Sequence, residues 1–143
     1  MQVGPLRAAL LLHFGDLVQD VVIAAPDRED VRMLVFPNPA VCRRLAGVAA
    51  HDPVRDALDH AVIVERFAES LAAFCSRHAS TSTRVSRLML LEEPPSIDAG
   101  EITDKGSINQ KAVLQRRRVL VDELYGTSRG ARLIDAIYRT ADA

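Results

Sequence analysis

Two lysines, Lys105 and Lys111, are the residues whose type and position most favour chemistry in this sequence. The protein has 18 lysine and arginine residues in total, and all of them except these two are arginines. Lys105 precedes Gly106 and Ser107 within the segment GEITDKGSINQKAVLQRR. Lysine is a compact charge on a flexible stem, and a neighbouring glycine lets the backbone come close to a ligand. The segment therefore indicates a loop that delivers a positive charge to an anionic group.

The same segment also has a purely structural interpretation. Ser107 and Gln110 have the spacing of the N-cap and N3 residues of a capping box, and Gly106 would give the backbone freedom before the cap. Lys111 and the arginines at 116–118 would then form a solvated helix face. Composition alone favours this interpretation, since most runs of charge face solvent.

Other catalytic signatures are absent from the sequence. It has no phosphate-binding G-x-x-x-x-G-K-[ST] motif, no nucleophile elbow and no H-E-x-x-H motif. The histidines are scattered; we interpret His13 as a core-edge residue, and His60 and His78 as helix-surface residues. Cys42 and Cys75 lack metal-ligand spacing, so we interpret them as buried free thiols in a reducing compartment.

Composition limits the classes of partner. A length of 143 residues fits a single domain over 1–143, and a net charge of −1 gives no general attraction to nucleic acid or an anionic membrane. Tryptophan is absent and aromatic residues make up 4%, which disfavours base stacking. No apolar run is long enough to cross a bilayer, so we expect a cytoplasmic protein that binds neither nucleic acid nor membrane.

The apolar periodicity predicts a small α+β domain in which helices pack on a three-stranded sheet, formed by a hairpin plus one distant strand. The predicted elements are a helix from Pro5 to Gly15, strands over 18–25 and 31–36, a short helix from Asn38 to Gly47, a long helix from Asp52 and Pro53 to His78, a strand over 84–91, a basic helix over 108–125 and a last helix over 129–139.

Four segments carry a resemblance to a known family, namely VGPLRAALL, LVQDVVIAAPDRED, LVFPNPAVCRRLAG and PPSIDAGEITDKGSINQKAVLQRR. In this order, over nearly the whole chain, they resemble the C-terminal domain of feruloyl-CoA synthetases. These enzymes belong to the adenylate-forming superfamily, with acyl-CoA synthetases, luciferases and nonribosomal adenylation domains. The resemblance implies a small mobile α+β domain. Its partner would be a large N-terminal domain, missing here, that carries the ATP phosphate loop and the acyl pocket.

The resemblance implies an acid–thiol ligation in two steps that uses ATP, Mg²⁺ and coenzyme A. A carboxylate attacks ATP to give acyl-AMP and pyrophosphate; the small domain then rotates, and the thiol of coenzyme A displaces AMP. In the superfamily, a lysine of the small domain bridges the carboxylate and the adenylate oxygens in the first step, where a fixed positive charge suits the shifting negative charge. We expect the chain alone to be inactive, because one lysine cannot replace the proximity and electrostatic effects of the large domain.

The lysine position departs from the commonest superfamily pattern, T-x-x-G-K-I-x-R. When the sequence is aligned on Thr103, Gly106 and Ile108, Ser107 stands where the pattern has lysine. Lys105 precedes the glycine instead, as it does in the feruloyl-type branch. The resemblance therefore implies that Lys105 is the catalytic, adenylation lysine.

The remaining site residues also follow from the resemblance. Gly106 and Ser107 would bind substrate beside the catalytic lysine, and Lys111 is the alternative lysine. Gly4 would lie in a loop that lines the pantetheine tunnel of the thioester-forming state, or else in a turn before the first helix. The arginines at 116–118 would meet a phosphate of coenzyme A, or else form the solvated face. No metal ligand is implied.

Two further hypotheses stay open. The chain could be a standalone interaction module that docks on a separate large subunit or forms a homodimer through an exposed interdomain face. It could also be a small α+β protein whose DKGS loop is only a helix cap. A continuous upstream reading frame with a phosphate loop would favour the ligase hypothesis over the module. Ferulate as the acyl substrate is an expectation from the family, because the acyl pocket lies outside this sequence.

Overall fold

A computed structural model describes residues 3–24, 30–77, 84–126 and 133–135. Within these ranges the chain forms six α-helices and four β-strands, and a 3-10 turn over Gly15–Leu17 joins the first helix to the first strand. In chain order they are α1 (Val3–Phe14), β1 (Val18–Ala24), β2 (Asp30–Pro37), α2 (Pro39–Ala46), α3 (Val54–Leu58), α4 (Ala61–Arg77), β3 (Arg84–Leu90), α5 (Gln110–Arg116), α6 (Arg118–Tyr125) and β4 (Leu133–Asp135).

The described strands form one mixed sheet in the order β1-β2-β3-β4. The predicted hairpin of β1 and β2 is confirmed as an antiparallel pair, and the distant strand β3 joins β2 in parallel, with Met33 opposite Leu88. The prediction of three strands is wrong, because β4 adds a fourth, antiparallel to β3. The predicted last helix is wrong over Leu133–Asp135, and its other residues lie outside the described ranges. Asp135 of β4 accepts a hydrogen bond from Arg87 of β3, a tertiary contact that no local pattern could predict.

Helices cover both faces of the sheet, so its strands are buried on both sides. Alternate residues of a strand point to opposite faces, and here both sets are apolar, which explains why β1 and β2 lack a polar alternation. The N-helix face, covered by α1 to α4, is formed by Val21, Ile23, Met33, Val35, Leu88 and Leu90. The C-helix face, covered by α5 and α6, is formed by Val22, Ala24, Leu34, Phe36, Met89 and Leu91.

The helices on the N-helix face partly follow the sequence prediction. The short helix α2 starts as predicted, since the Asn38 side chain accepts a hydrogen bond from Val41 N (3.3 Å), and it ends at Gly47 with a φ of 72°. The predicted long helix is broken into α3 and α4. His60 stands at the break, where its Nδ1 accepts a hydrogen bond from Val62 N (3.1 Å) and caps α4. His60 is therefore a capping residue, and the predicted end of the helix at His78 lies outside the described ranges.

The break also changes which residues of the long segment are buried. Ala61 and Val62 are exposed, whereas Ile63 and Phe67 are buried in the core. Residues three and four positions apart lie on the same face of a helix. A break in the helix therefore changes which residues face the core. Leu71, one turn further along α4, is buried with Ile63 and Phe67.

Arginines of the sheet hold the end of α6. Arg32 of β2 donates to the carbonyl oxygen of Leu124 (3.0 Å), and Arg87 of β3 donates to the carbonyl oxygens of Leu124 (3.2 Å) and Gly126 (2.9 Å). These carbonyls lie in the last turn of α6 and at its C-cap, where the helix offers no donors of its own and its dipole is negative. Tyr125 adds a hydrogen bond from its hydroxyl to the carbonyl oxygen of Ala24 (3.0 Å). The helix that follows the lysine segment is thereby fixed on the C-helix face.

Candidate functional site: a lysine hairpin on a buried ion pair

Lys105 lies in a short hairpin, which we call the lysine hairpin (residues 101–109). Ile102 and Ile108 pair as an antiparallel bridge. Closer to the tip, Thr103 N donates to Ser107 O (2.8 Å) and Gly106 N donates to Thr103 O (2.9 Å). Gly106 has a φ of 82°, which suits the left-handed last position of a three-residue hairpin turn. The glycine therefore closes the turn, and the predicted loop is a defined hairpin.

Lys105 is the middle residue of this turn and is exposed, as are all residues from Thr103 to Ser107. The Ser107 hydroxyl shares a hydrogen bond with Thr103 Oγ1 (2.9 Å), and Ser107 N donates to the same oxygen (3.3 Å). These contacts hold the hairpin together across its two arms. The structure thus brings Lys105, Gly106 and Ser107 into one tip, with the lysine projecting from a glycine-closed turn.

Glu101 forms the base of the lysine hairpin and is fully buried, with 0% of its surface exposed. Its backbone joins both flanks: Glu101 N donates to Ser96 O (2.9 Å), and Asn109 N donates to Glu101 O (2.8 Å). Its carboxylate accepts a hydrogen bond from Ser96 N (2.8 Å). A buried carboxylate requires partners that offset the loss of water, and the main partner is an arginine.

Arg117 faces Glu101 in a two-point contact, with Nε donating to Oε2 (2.8 Å) and Nη2 to Oε1 (3.0 Å). The same guanidinium donates to the carbonyl oxygens of Glu93 (2.9 Å) and Pro94 (2.9 Å) and lies over the Phe36 ring at 5.0 Å. We call this ion pair with its contacts the hairpin anchor. It connects the segment after β3, the base of the hairpin and the junction of α5 and α6.

Arg116 completes the charge balance of the anchor. Its Nη1 donates to Glu101 Oε1 (3.2 Å), and its Nη2 donates to Glu93 Oε1 (2.9 Å). The hydrogen bond from Arg117 is the largest cause that lowers the pKa of the Glu101 carboxyl below its ordinary value of 4.5, so the carboxylate is charged at neutral pH. The predicted solvated face at 116–118 is therefore wrong for Arg117, which is buried, although Arg118 is exposed.

The helix start after the hairpin differs from the prediction. Asn109 is the N-cap of α5, and its side chain accepts a hydrogen bond from Ala112 N (3.1 Å). The predicted capping box of Ser107 and Gln110 is wrong, because Ser107 belongs to the hairpin. Gln110 instead binds the edge of β1: its amide donates to Val21 O (3.2 Å) and accepts from Ile23 N (3.3 Å). The predicted single helix over 108–125 is also two helices, divided at Arg117.

The structure separates the other predicted site residues from the tip. Lys111 is exposed in the first turn of α5, beyond the base of the hairpin. Gly4 lies inside α1, so the expected loop, and the alternative turn, are both wrong at this position. The helix α1 packs on the N-helix face through Leu10, whereas α5 packs on the C-helix face through Val113. Gly4 and Lys105 are therefore attached to opposite sides of the sheet.

The histidine and the thiols that were predicted to be structural lie in the core or at its edge. His13 is half-buried; its Nε2 donates to Ser70 O (2.7 Å) and its ring meets Phe74 edge-on at 5.4 Å, as expected of a core-edge residue. Both cysteines are free. Burial raises the pKa of the Cys42 thiol to about 11, whereas Cys75 is half-buried and donates to Val85 O (3.0 Å). The predicted burial is thus complete for Cys42 alone.

A cavity of about 200 Å³ lies beside the hairpin anchor and shares Phe36 and Pro94 with it. Its lining is mainly apolar and comes from the end of β2, the segment after β3, α2, and one residue each of β1 and α3. The lining residues are Gln19, Phe36, Pro37, Pro39, Arg43, Val54, Leu91, Glu92 and Pro94.

The described ranges contain neither a metal-binding cluster nor a membrane-spanning helix. No group of three or more His, Cys, Asp or Glu side chains in them is placed to hold a metal ion. No helix in them combines the length and apolar character needed to cross a membrane.

The hairpin anchor is the part of the site that the sequence analysis missed. Glu101 is a single carboxylate in a polar segment, and Arg117 is the middle of three consecutive arginines. Both patterns are typical of solvated residues. The break of the helix at Arg117 is the only local feature that could have singled it out, and the sequence shows no glycine or proline there to signal it.

The fold of this chain resembles one part of the solved adenylation domains of carboxylic acid reductases. The chain is similar to the adenylation and carrier-protein didomain of a carboxylic acid reductase from Segniliparus rugosus in complex with AMP, with a TM-score of 0.62, 20% sequence identity and coverage of 87% of this chain and 16% of that chain. It is also similar to the adenylation domain of the reductase from Segniliparus rugosus bound to AMP and a carboxylic acid (TM-score 0.60, 18% identity, coverage 87% and 18%).

A third similar structure is the adenylation domain of a carboxylate reductase from Mycobacterium chelonae (TM-score 0.60, 17% identity, coverage 87% and 18%). No protein-family model and no curated protein matches the sequence. The chain spans less than a fifth of the length of these solved proteins. The chain is therefore an α+β domain whose fold resembles one part of these adenylation domains.

Proposed function

We propose that this chain acts as the small, lysine-bearing domain of an ATP-dependent acid–thiol ligase of the feruloyl-CoA synthetase type. The observation that carries the proposal is the exposed Lys105 at the tip of a defined hairpin, on a fold shared with part of the adenylate-forming enzymes. In this role Lys105 contributes a positive charge where a carboxylate and a phosphate oxygen exchange negative charge.

The charge balance around the hairpin supports Lys105 over the arginines as the ligand-facing cation. Arg116 and Arg117 are already engaged with Glu93 and Glu101, at distances of 2.8 to 3.2 Å. A cation that is paired with a carboxylate has little net charge to offer to a phosphate. Lys105 stands at the tip, where a partner surface can approach the turn without meeting a carboxylate-bound guanidinium.

The rest of the active site has to come from another polypeptide segment. The sequence has no G-x-x-x-x-G-K-[ST] phosphate-binding motif. One lysine ammonium group can contact only a small part of an acyl-adenylate. The small share of the solved adenylation proteins that the chain covers supports a larger protein or complex with a large adenylation domain. ATP, Mg²⁺ and coenzyme A would be bound chiefly by that domain, and ferulate is the proposed acid.

The experiment measures ATP–pyrophosphate exchange with ferulate, using the chain alone, a feruloyl-CoA synthetase large domain alone, and the two together as a mixture or a fusion. We expect exchange only when both parts are present. Lys105→Ala should lower the exchange rate of the combined protein by about 10²- to 10³-fold, which is the usual loss when one group that stabilises transition-state charge is removed.

Lys111→Ala is the matched control, because it removes the other lysine of the same segment. We expect it to leave exchange close to wild type. Exchange by the chain alone would contradict the proposal, since it would require a nucleotide site in this chain. A loss with Lys111→Ala but none with Lys105→Ala would assign the role to the other lysine. If neither variant had an effect on an active fusion, the lysine-bearing role would be refuted, and a docking module would be favoured.

A further inference from the structure

We infer that Glu101 and Arg117 are positioning residues for Lys105, so that the hairpin anchor sets where the lysine charge stands during adenylation. This inference rests on the proposed function. It concerns residues that lie at the base of the hairpin and do not reach the tip.

The anchor holds the only long irregular segment between described elements, from the end of β3 to the start of α5. Within this segment, Glu93 O and Pro94 O accept hydrogen bonds from Arg117 (both 2.9 Å). Ser96 is held twice by Glu101, through Glu101 N to Ser96 O (2.9 Å) and Ser96 N to Glu101 Oε1 (2.8 Å). One buried ion pair thus fixes both the entry to the hairpin and its base.

The hairpin arms themselves give little fixation to the tip. The tip residues are exposed, and the arms are joined by a single β-bridge and a few hydrogen bonds around Thr103 and Ser107. A two-stranded hairpin of this length is marginal by itself. Its orientation relative to the sheet is therefore determined at Glu101, which meets Arg117 over the Phe36 ring of β2.

The chemistry of the pair suits orientation better than stability. Both charges of a buried ion pair lose their hydration, and their attraction offsets this loss only when the geometry is good. Apolar residues of similar size often stabilise a fold by an equal amount. Arginine and carboxylate meet at two points here, which fixes direction as well as distance. Arg117 lies at the junction of α5 and α6. Its pairing with Glu101 therefore fixes the orientation of the hairpin relative to the helices on the C-helix face.

The test compares Arg117→Lys with Arg118→Lys in the fusion protein described above. Both variants keep the positive charge, but only the first removes the planar fork that meets Glu101 at two points. Arg118 is the exposed neighbour and serves as the matched control. Glu101→Gln is the second variant, which keeps the side-chain shape and removes the carboxylate charge.

Each protein is assayed in two half-reactions. The first is ATP–pyrophosphate exchange with ferulate, and the second is thioester formation from preformed feruloyl-AMP and coenzyme A. We expect Arg117→Lys and Glu101→Gln to lower the exchange kcat by up to about 10²-fold, the loss that a displacement near 1 Å can cause. The KM for ATP and the second half-reaction should stay close to wild type. Equal losses in both half-reactions would indicate general unfolding and overturn the inference.

Hydrogen exchange on the chain alone gives a readout that is independent of activity. We expect Arg117→Lys to speed amide exchange at Thr103, Gly106 and Asn109, whose N–H groups hold the hairpin, while β1 and β2 keep their protection. Unchanged exchange at the hairpin would overturn the inference even if the fusion were active. If the hairpin loosens as expected but Lys105→Ala has no effect on adenylation, then the positioning is real and the proposed function fails.

Discussion

Replacing Arg117 by methionine should destabilise the folded protein by about 3 kcal/mol, at the lower end of the ~3–5 kcal/mol cost of breaking a buried ion pair. The substitution keeps a long flexible side chain but removes four hydrogen bonds to Glu101, Glu93 and Pro94. The Glu101 carboxylate, at 0% exposure, would then keep only Ser96 N and Arg116 as donors. These two remaining partners are why we place the loss at the lower end.

The loss can be measured by urea denaturation followed by far-UV circular dichroism, which suits a protein without tryptophan. A loss of 3 kcal/mol would lower the melting temperature by roughly 10 °C in a domain of this size. The double variant Glu101→Met with Arg117→Met should recover most of the loss, because it leaves no unpaired buried charge.

Two results would refute this reasoning. A loss below about 1 kcal/mol for Arg117→Met, the range typical of exposed ion pairs, would mean that water or Arg116 replaces Arg117 at little cost. A double variant as unstable as the single one would mean that packing over Phe36, and not the unpaired carboxylate, accounts for the loss.

Four other outcomes are expected. Because the folded pKa of Glu101 is lowered, its contribution to stability should be constant above about pH 5 and be lost on acidification through the folded pKa; Glu101→Gln should flatten this part of the stability–pH curve. Gly106→Val should cost about 1–2 kcal/mol because of the φ of 82°, and Gly106→Asn should cost less, as compared by urea denaturation. Asn38→Ala should cost about 1 kcal/mol through loss of the α2 cap, measured in the same way. Cys42 should resist a thiol reagent at pH 8 until urea unfolds the protein, whereas prompt labelling would contradict its burial and raised pKa.

Neighbouring residues in the sequence partly determine the shape of the lysine hairpin. Thr103, Gly106 and Ser107 specify the turn, because glycine accepts the positive φ and the two hydroxyls hydrogen-bond across the arms. A glycine beside a lysine was therefore enough to predict an exposed loop with a projecting cation. These residues were not enough to predict a hairpin in place of a helix cap. A serine that precedes a helical pattern is compatible with both structures.

Sequence alone determined the elements whose hydrophobic patterns are local. Short β-branched runs gave β1 and β2 as a hairpin, and Asn38 followed by Pro39 gave the start of α2. The division into helices over 54–77 and 110–125 needed the tertiary structure. In both segments the apolar periodicity by itself predicts one continuous helix. The cap formed by His60 and the burial of Arg117 interrupt it.

The candidate site likewise has one part that the sequence indicates and one part that only the tertiary structure shows. The sequence indicated Lys105 as the candidate cation, with Lys111 as the alternative, because Lys105 and Gly106 are adjacent in the chain. Only the tertiary structure shows the ion pair at the base of the lysine hairpin, because Glu101 and Arg117 are 16 residues apart and each has the surroundings of a solvated charge in sequence. Their pairing depends on removal from water beneath the hairpin, and burial is a property of the packed domain that no short segment contains.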